Sequence, residues 1–295
     1  MGWCFGVRDA VALVEREAAS GPVTVLGELV HNETVNATLR QRGVRIVRAV
    51  EEAVLWERPS GRDRSGPEGP SHNTIIITAH GASERMLEQV RQLAPRVVEA
   101  TCPLVRSAHQ AVRELAAAGY YPVIVGQRDH VEVRGLTGDL AEFSVVLSED
   151  DVCALPSRGR YGVAAQTTQP LDRVRRLAEA IRQRFPESEV RLVDTVCLPT
   201  KQRQAAAVEL ARQCDVVVVI GGRNSNNTRE LAATCARHCR RVWLVESAAD
   251  LRAEWLAGVE TVGITAGTST PDEIINEVEH WLAARTTVPA FHGVA

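Results

Sequence analysis

The 295-residue chain lacks any apolar run long enough to cross a bilayer. Its longest runs, such as Val216 to Ile220, fall far short of the ~18 residues that a spanning helix needs. It also opens without a basic stretch followed by an apolar signal core, so the expected location is the cytoplasm, with no membrane partner. Neither charge sign dominates. Thirty-four Lys and Arg stand against 37 Asp and Glu, a formal charge of −3, so no long-range basic field recruits nucleic acid and any anionic ligand must be held locally. The close CxxC pairs of zinc ribbons and knuckles are missing too. With 45% hydrophobic and 24% charged residues, the composition is that of an ordinary globular chain, large enough for two or three compact domains and neither disordered nor fibrous.

Seven cysteines are present, and in a chain of this size they point to reduced, metal-binding or catalytic thiols rather than a disulfide framework. Cys4, Cys102 and Cys197 lie 98 and 95 residues apart, a nearly constant step close to one third of the chain. Each is followed by apolar residues at helical spacing: Val7, Val11 and Val14; Leu104, Ala108, Val112 and Leu115; Ala205, Val208 and Ala211. Behind each helix comes a near-continuous apolar run (Val23 to Val30, Pro122 to Gly126, Val216 to Gly221), which reads as a buried parallel strand. The expected fold is α/β, with three pseudo-threefold-related small parallel-sheet lobes around a central cluster site. The lobes fall at 5–97, 98–193 and 194–284, with residues 1–4 contributing a cluster ligand and 285–295 a short tail. Strands are expected at Arg96 to Thr101 and Val190 to Val196, opening the second and third thirds, and the first third lacks such an opening strand. Residues 59–71, with nine Pro, Gly or Ser and no apolar member, read as a flexible loop.

Each apolar run ends in a polar cluster at +27 to +30 from its cysteine: His31-Asn32, His130-Val131-Glu132 and Asn224 to Asn227. A later strand in each third ends likewise, in Thr78 to Gly81, Ala165 to Thr168 and Thr265 to Ser269. Single clusters of this kind are ordinary strand-to-helix turns. Three sets agreeing in order and spacing point to one shared site beyond the strand ends, where open α/β sheets bind ligands. Three thiolates, each before a helix whose N-terminus favours negative charge, suit a [4Fe-4S] cluster with one iron left free, and hence reductive chemistry. His31, His80, His130, Ser225, Asn227 and Ser269 form a ring of neutral donors and imidazolium groups suited to a diphosphate. Glu132, the lone carboxylate of the clusters, is the candidate proton carrier. Cys235 and Cys239 with His238, and Cys153 and Cys214, are expected to pack as small buried hydrophobes. His72, His109, His280 and His292 are expected at the surface.

The motifs Gly2-Trp3-Cys4-Phe5-Gly6-Val7, Val30-His31-Asn32, Ala79-His80-Gly81, Ala100-Thr101-Cys102-Pro103, His130-Val131-Glu132, Gln166-Thr167-Thr168, Asn224-Ser225-Asn226-Asn227 and Thr265 to Asp272 occur in one order along the whole chain. In them the sequence resembles the LytB-type iron–sulfur enzymes, the 4-hydroxy-3-methylbut-2-enyl diphosphate reductase family of the methylerythritol phosphate route. The resemblance implies that Cys4, Cys102 and Cys197 bind the cluster and that Glu132, helped by Thr167, supplies protons. It implies that His31, His80, His130, Thr168, Ser225, Asn226, Asn227 and Ser269 bind the substrate. It further implies reductive dehydroxylation to isopentenyl and dimethylallyl diphosphate, with ferredoxin or flavodoxin as electron donor. The chain departs from the family pattern at Leu198 to Gln202, at Val131 and at Asn226. A paralogue reducing a related allylic diphosphate, a non-catalytic iron–sulfur redox sensor and a cluster-free diphosphate-binding module are the competing readings.

Overall fold

The computed structural model describes residues 1–54, 74–94, 96–285 and 291–292, so the expected loop at 59–71, His72 and most of the tail lie outside the described residues. In the first third, α1 (Phe5–Ser20) leads into β1 (Val23–Leu26), α2 (Glu33–Gln41), β2 (Arg45–Val47), α3 (Val50–Val54), β3 (Thr74–Ile77), α4 (Glu84–Leu93) and β4 (Arg96–Glu99). The second repeats that order: α5 (Pro103–Ala117), β5 (Tyr121–Val125), α6 (Val131–Thr137), β6 (Ser144–Val146), α7 (Glu149–Cys153), β7 (Arg160–Ala165), α8 (Leu171–Arg184) and β8 (Glu189–Leu192). The third runs α9 (Leu198–Gln213), β9 (Val216–Ile220), α10 (Asn226–Ala236), β10 (Arg241–Val245), two 3₁₀ turns (Ala248–Asp250, Ala253–Leu256), β11 (Val262–Ala266), α11 (Asp272–Ala283) and β12 (Phe291–His292).

Each third builds one four-stranded parallel sheet, and the strand order is the same each time: β2-β1-β3-β4, β6-β5-β7-β8 and β10-β9-β11-β12. The fold is therefore α/β, with three small parallel sheets. Alternation along the strands explains the apolar runs. Val216, Val218 and Ile220 pack with Ile274 and Val278 on one face, while Val217 and Val219 pack with Leu210, Ala211 and Leu231 on the other. A strand covered on both sides has no polar face to show in its sequence, and each such Val or Ile contributes about 1.5–3 kcal/mol of burial.

The structure corrects the assignment of the strands that precede the cysteines. β4 pairs with β3, in the register Thr74↔Arg96, and β8 pairs with β7, so each closes the sheet of the third before it rather than opening the next. β4 accordingly runs through the junction drawn at residues 97 and 98. The first third also keeps a full complement of four strands. A strand before Cys4 would by this logic edge the third sheet, and β12 takes that place beside β11. The sequence could not display this, because which neighbour a strand pairs with is set by contacts remote in the chain.

Candidate active site

Cys4, Cys102 and Cys197 are the N-cap residues of α1, α5 and α9. The backbone N–H of each donates to a carbonyl at the end of a strand in another third: Cys102 to Ala79 at 3.1 Å, Cys197 to Thr167 at 2.9 Å and Cys4 to Thr268 at 3.0 Å. The last bond closes a ring of three thirds. Arg203 reinforces it from α9, donating to the carbonyls of Ala266 (2.6 Å), Gly267 (3.1 Å) and Gly2. Gly6 shows how closely the first two cysteine segments meet, since a Cβ there would lie 2.5 Å from Cys102 Sγ. The next helices start 29 residues after each cysteine, with Asn32, His130 and Ser225 as N-caps. Strand ends and helix starts thus converge on one cavity, which all three cysteines line together with His31, His80 and His130, Glu132, Thr167 and Thr168, Ser225, Asn226, Asn227 and Ser269. Every residue picked from the sequence as part of the site lines this one cavity. Among its described lining residues there is no Lys or Arg, and Glu132 is the sole carboxylate.

The hydrogen bonds settle the imidazole tautomers. Glu132 N–H donates to His130 Nδ1 at 3.1 Å, which leaves the ring proton on Nε2. His130 Nε2–H then donates to His31 Nε2 at 3.1 Å, and His31 Nδ1–H donates to Glu28 at 3.1 Å. His80 stacks on His31 with ring centroids 4.3 Å apart. Thr168 Oγ1 accepts from Gln166 Nε2 (3.2 Å) and Asn226 Nδ2 (2.9 Å), so its lone pairs are taken and its own O–H is left to donate into the cavity. His80 Nδ1 and Asn226 Oδ1 are buried with no partner among the described residues, as expected of groups that meet a ligand.

Electrostatics amend the expectations in two respects. Burial pushes the Cys197 thiol up to about 11 and raises that of Cys102, so desolvation outweighs the helix N-terminus. A bound cation would favour the thiolate form of these two. Burial, aided by the neighbouring imidazoles, holds His80 well below its ordinary value, and burial with the charges of His31, Arg229 and Arg134 takes His130 to about 3. These two rings are neutral donors near neutral pH, not imidazolium. Glu132 moves the other way: burial raises it to about 7, against the opposing hydrogen bond from Thr167 N–H at 2.6 Å. Such a carboxyl group holds or releases a proton near physiological pH.

Outside the cavity, Cys235 and Cys239 are buried in an apolar cluster against which Cys214 packs, whereas Cys153, expected inside, is exposed at the end of α7. His109, expected at the surface, is buried. Its ring fills space that only Gly81 and Gly135 leave open, since a Cβ at either would stand 3.1–3.2 Å away. Sequence reasoning missed Glu28, Arg203 and Thr200 and gave Gln166 no role of its own; all four act through another side chain or the backbone. Thr200 alone carried a signal, because the positions three after the other cysteines are Val7 and Val105.

No set of three His, Cys, Asp or Glu among the described residues closes on a single-ion position. Three half-buried thiols lining one cavity fit a polynuclear iron–sulfur group instead, whose thiolates bind different irons. Residues 1–283 match the LytB protein family. The 4-hydroxy-3-methylbut-2-enyl diphosphate reductase of Trichlorobacter lovleyi is 39% identical over 279 residues, 94% of this chain and 93% of that protein. The enzyme of the same name from an Anaeromyxobacter species is 37% identical, over 95% and 94% of the two chains. Among solved structures, an (E)-4-hydroxy-3-methyl-but-2-enyl diphosphate reductase described as the terminal enzyme of the non-mevalonate pathway aligns with TM-score 0.64 at 34% identity, over 96% of each chain. The Plasmodium falciparum E-1-hydroxy-2-methyl-but-2-enyl-4-diphosphate reductase shares the fold, with TM-score 0.85 at 24% identity over 100% of this chain and 90% of that one. Matched along nearly its whole length, the chain belongs to the LytB family.

Proposed function

We propose that the chain is an iron–sulfur oxidoreductase that removes the hydroxyl of 4-hydroxy-3-methylbut-2-enyl diphosphate reductively, giving isopentenyl and dimethylallyl diphosphate. The observation that carries this reading is the convergence of three equivalent helix-capping cysteines and a buried, proton-holding Glu132 on one cavity. Cys4, Cys102 and Cys197 would hold a [4Fe-4S] cluster, which supplies single electrons and a Lewis-acid position when bound. The lobes at 5–97, 98–193 and 194–284, with residues 1–4 completing the ligand set, each contribute one cysteine or its neighbours.

The chain's own residues divide the remaining work. The Thr168 and Ser225 hydroxyls and the Asn227 amide donate to diphosphate oxygens, and His130 Nε2–H and the Ser269 hydroxyl do so by exchanging their bonds to His31 for bonds to the ligand. His31 is oriented by Glu28 and His80 stacks behind it. Neutral donors suffice because each bond to an anionic oxygen is charge-assisted and strengthens beside a low-dielectric wall. The step takes up two electrons and two protons: Glu132 delivers the proton that leaves with the hydroxyl as water, Thr167 N–H then holds the resulting carboxylate, and the second proton, drawn from solvent, ends on the allylic carbon. Asn226 keeps Thr168 aimed inward. Electrons would come from ferredoxin or flavodoxin in the cytoplasm. No helix among the described residues is long and apolar enough to cross a membrane. Glu132 favours turnover over a sensor role, since a sensor needs no acid in the cavity. The test is anaerobic incubation of the iron-loaded protein with the hydroxymethylbutenyl diphosphate and a one-electron reductant. The two C5 diphosphates are expected, and recovery of unchanged substrate from fully loaded protein would refute the reading.

A further inference from the structure

The third repeat departs from the other two at one buried position. Three residues after each cysteine, at the same turn of α1, α5 and α9, stand Val7, Val105 and Thr200. Val and Thr have nearly the same shape, so the hydroxyl is what sets the third apart. Thr200 is 0% exposed, and a hydroxyl so buried destabilises the fold unless it is hydrogen-bonded. This one has two partners: Cys197 Sγ at 3.0 Å and Asn227 Nδ2 at 3.3 Å. An amide nitrogen only donates, so Thr200 Oγ1 accepts from Asn227 and its own proton is free for the sulfur of a Cys197 thiolate, which only accepts.

Asn227 lines the cavity, and its other end, Oδ1, accepts from Thr268 N–H at 3.0 Å. The Thr268 carbonyl in turn accepts from Cys4 N–H at 3.0 Å. A single line of hydrogen bonds therefore runs from a ligand-facing amide to the sulfur of one cysteine and the backbone of another. Val7 and Val105 cannot form the bond to sulfur that begins it.

We propose that Thr200 is a positioning residue that makes reduction at Cys197 respond to what Asn227 holds. The proposal rests on the reading of this cavity as a cluster and diphosphate site. A hydrogen bond to a ligating sulfur stabilises the more negative, reduced form and so raises the reduction potential. One electron enters from an external one-electron donor. No bond to sulfur breaks, and part of the added charge lies on the sulfur that the Thr200 hydroxyl faces. When an oxyanion draws on the Asn227 amide, the donor that polarises Thr200 weakens, and with it the bond from Thr200 to sulfur.

The test compares wild type, Thr200→Val and Thr200→Ser as anaerobically reconstituted holoproteins. Iron, sulfide and electron paramagnetic resonance first establish equal loading. Midpoint potentials are then measured by redox titration with and without inorganic pyrophosphate, whose binding is followed separately by calorimetry. Thr200→Val, which copies the other two repeats, is expected to shift the potential negative and to shrink the displacement that pyrophosphate causes. Thr200→Ser, which keeps the hydroxyl, is expected to match wild type in both. Equal potentials and equal pyrophosphate responses in wild type and Thr200→Val overturn the proposal while leaving the reading of the site intact, as does a Thr200→Ser protein that behaves like Thr200→Val. A wild-type chain that takes up neither cluster nor pyrophosphate overturns both.

Discussion

The two walls of the cavity follow different rules. On the cysteine wall the three thirds are alike: the same residue, at the same N-cap, held by the same bond to a strand-end carbonyl. On the polar wall equivalent positions differ. The residues that follow the three accepting carbonyls are His80, Thr168 and Ser269, and the N-caps 28 residues after the cysteines are Asn32, His130 and Ser225. A symmetric wall suits a ligand with equivalent corners, such as an iron–sulfur cube, and an asymmetric wall suits a molecule with distinct ends. The threefold repeat is thus kept on the cysteine wall and broken on the polar wall.

Four experiments would break or sharpen this contrast. The largest effect is expected on the symmetric wall: Cys4→Ser, Cys102→Ser and Cys197→Ser should each abolish turnover and most of the iron–sulfur absorption, all three to a similar degree. Cys235→Ser, in an apolar cluster, should leave both in place. Unequal losses among the three would break the equivalence. Next, Glu132→Gln should keep the spectrum and reduce turnover by ~10²–10⁴, the worth of a positioned proton donor. In wild type, turnover should fall as pH rises through about 7, where Glu132 loses its proton; a pH profile of kcat checks the direction, and Glu132→Gln should flatten that limb.

On the asymmetric wall, Ser225→Ala and His130→Gln, at equivalent N-cap positions, should weaken pyrophosphate binding unequally and spare the cluster. Each removes a bond to a charged oxygen worth about 1.5–3 kcal/mol, roughly 10- to 150-fold in affinity by calorimetry. Equal losses at equivalent positions would argue that this wall too is symmetric in use. The smallest effect is on stability. His130 titrates at about 3 in the folded protein and near 6.5 when unfolded. The unfolded chain therefore binds more protons between those values, and stability declines as pH falls below about 6.5, by at most about 1.4 kcal/mol per pH unit for this group. Melting curves for His130→Gln should show a shallower acid decline than wild type.

The symmetric wall was legible in the sequence because its signals are local and repeated. A cysteine, a helical spacing of apolar residues and a strand-end cluster recur at a fixed step, and α1, α5 and α9 with β1, β5 and β9 stand where those patterns put them. What could not be read depends on contacts between distant segments. The strand at Arg96–Glu99 carries no mark of pairing with β3. The burial of His109 is decided by Gly81 and Gly135. The neutrality of His80 and His130 follows from their seclusion, which residue type does not reveal. Cys153 packs nowhere although its neighbour Val152 does, because α7 is a single short turn of helix with one buried side chain. Thr200 lies between these cases: its position in the repeat is visible in the sequence, but its bond to Asn227 is not.

The central claim, that three equivalent thiolates serve a cluster with one corner left over for an asymmetric substrate, is tested most directly by Mössbauer spectroscopy of ⁵⁷Fe-reconstituted protein. The account predicts about four irons per chain in a three-to-one ratio of environments, with only the single iron's signal altered when the hydroxymethylbutenyl diphosphate is added. Four indistinguishable irons that ignore the substrate, or a protein that takes up no iron, would contradict it.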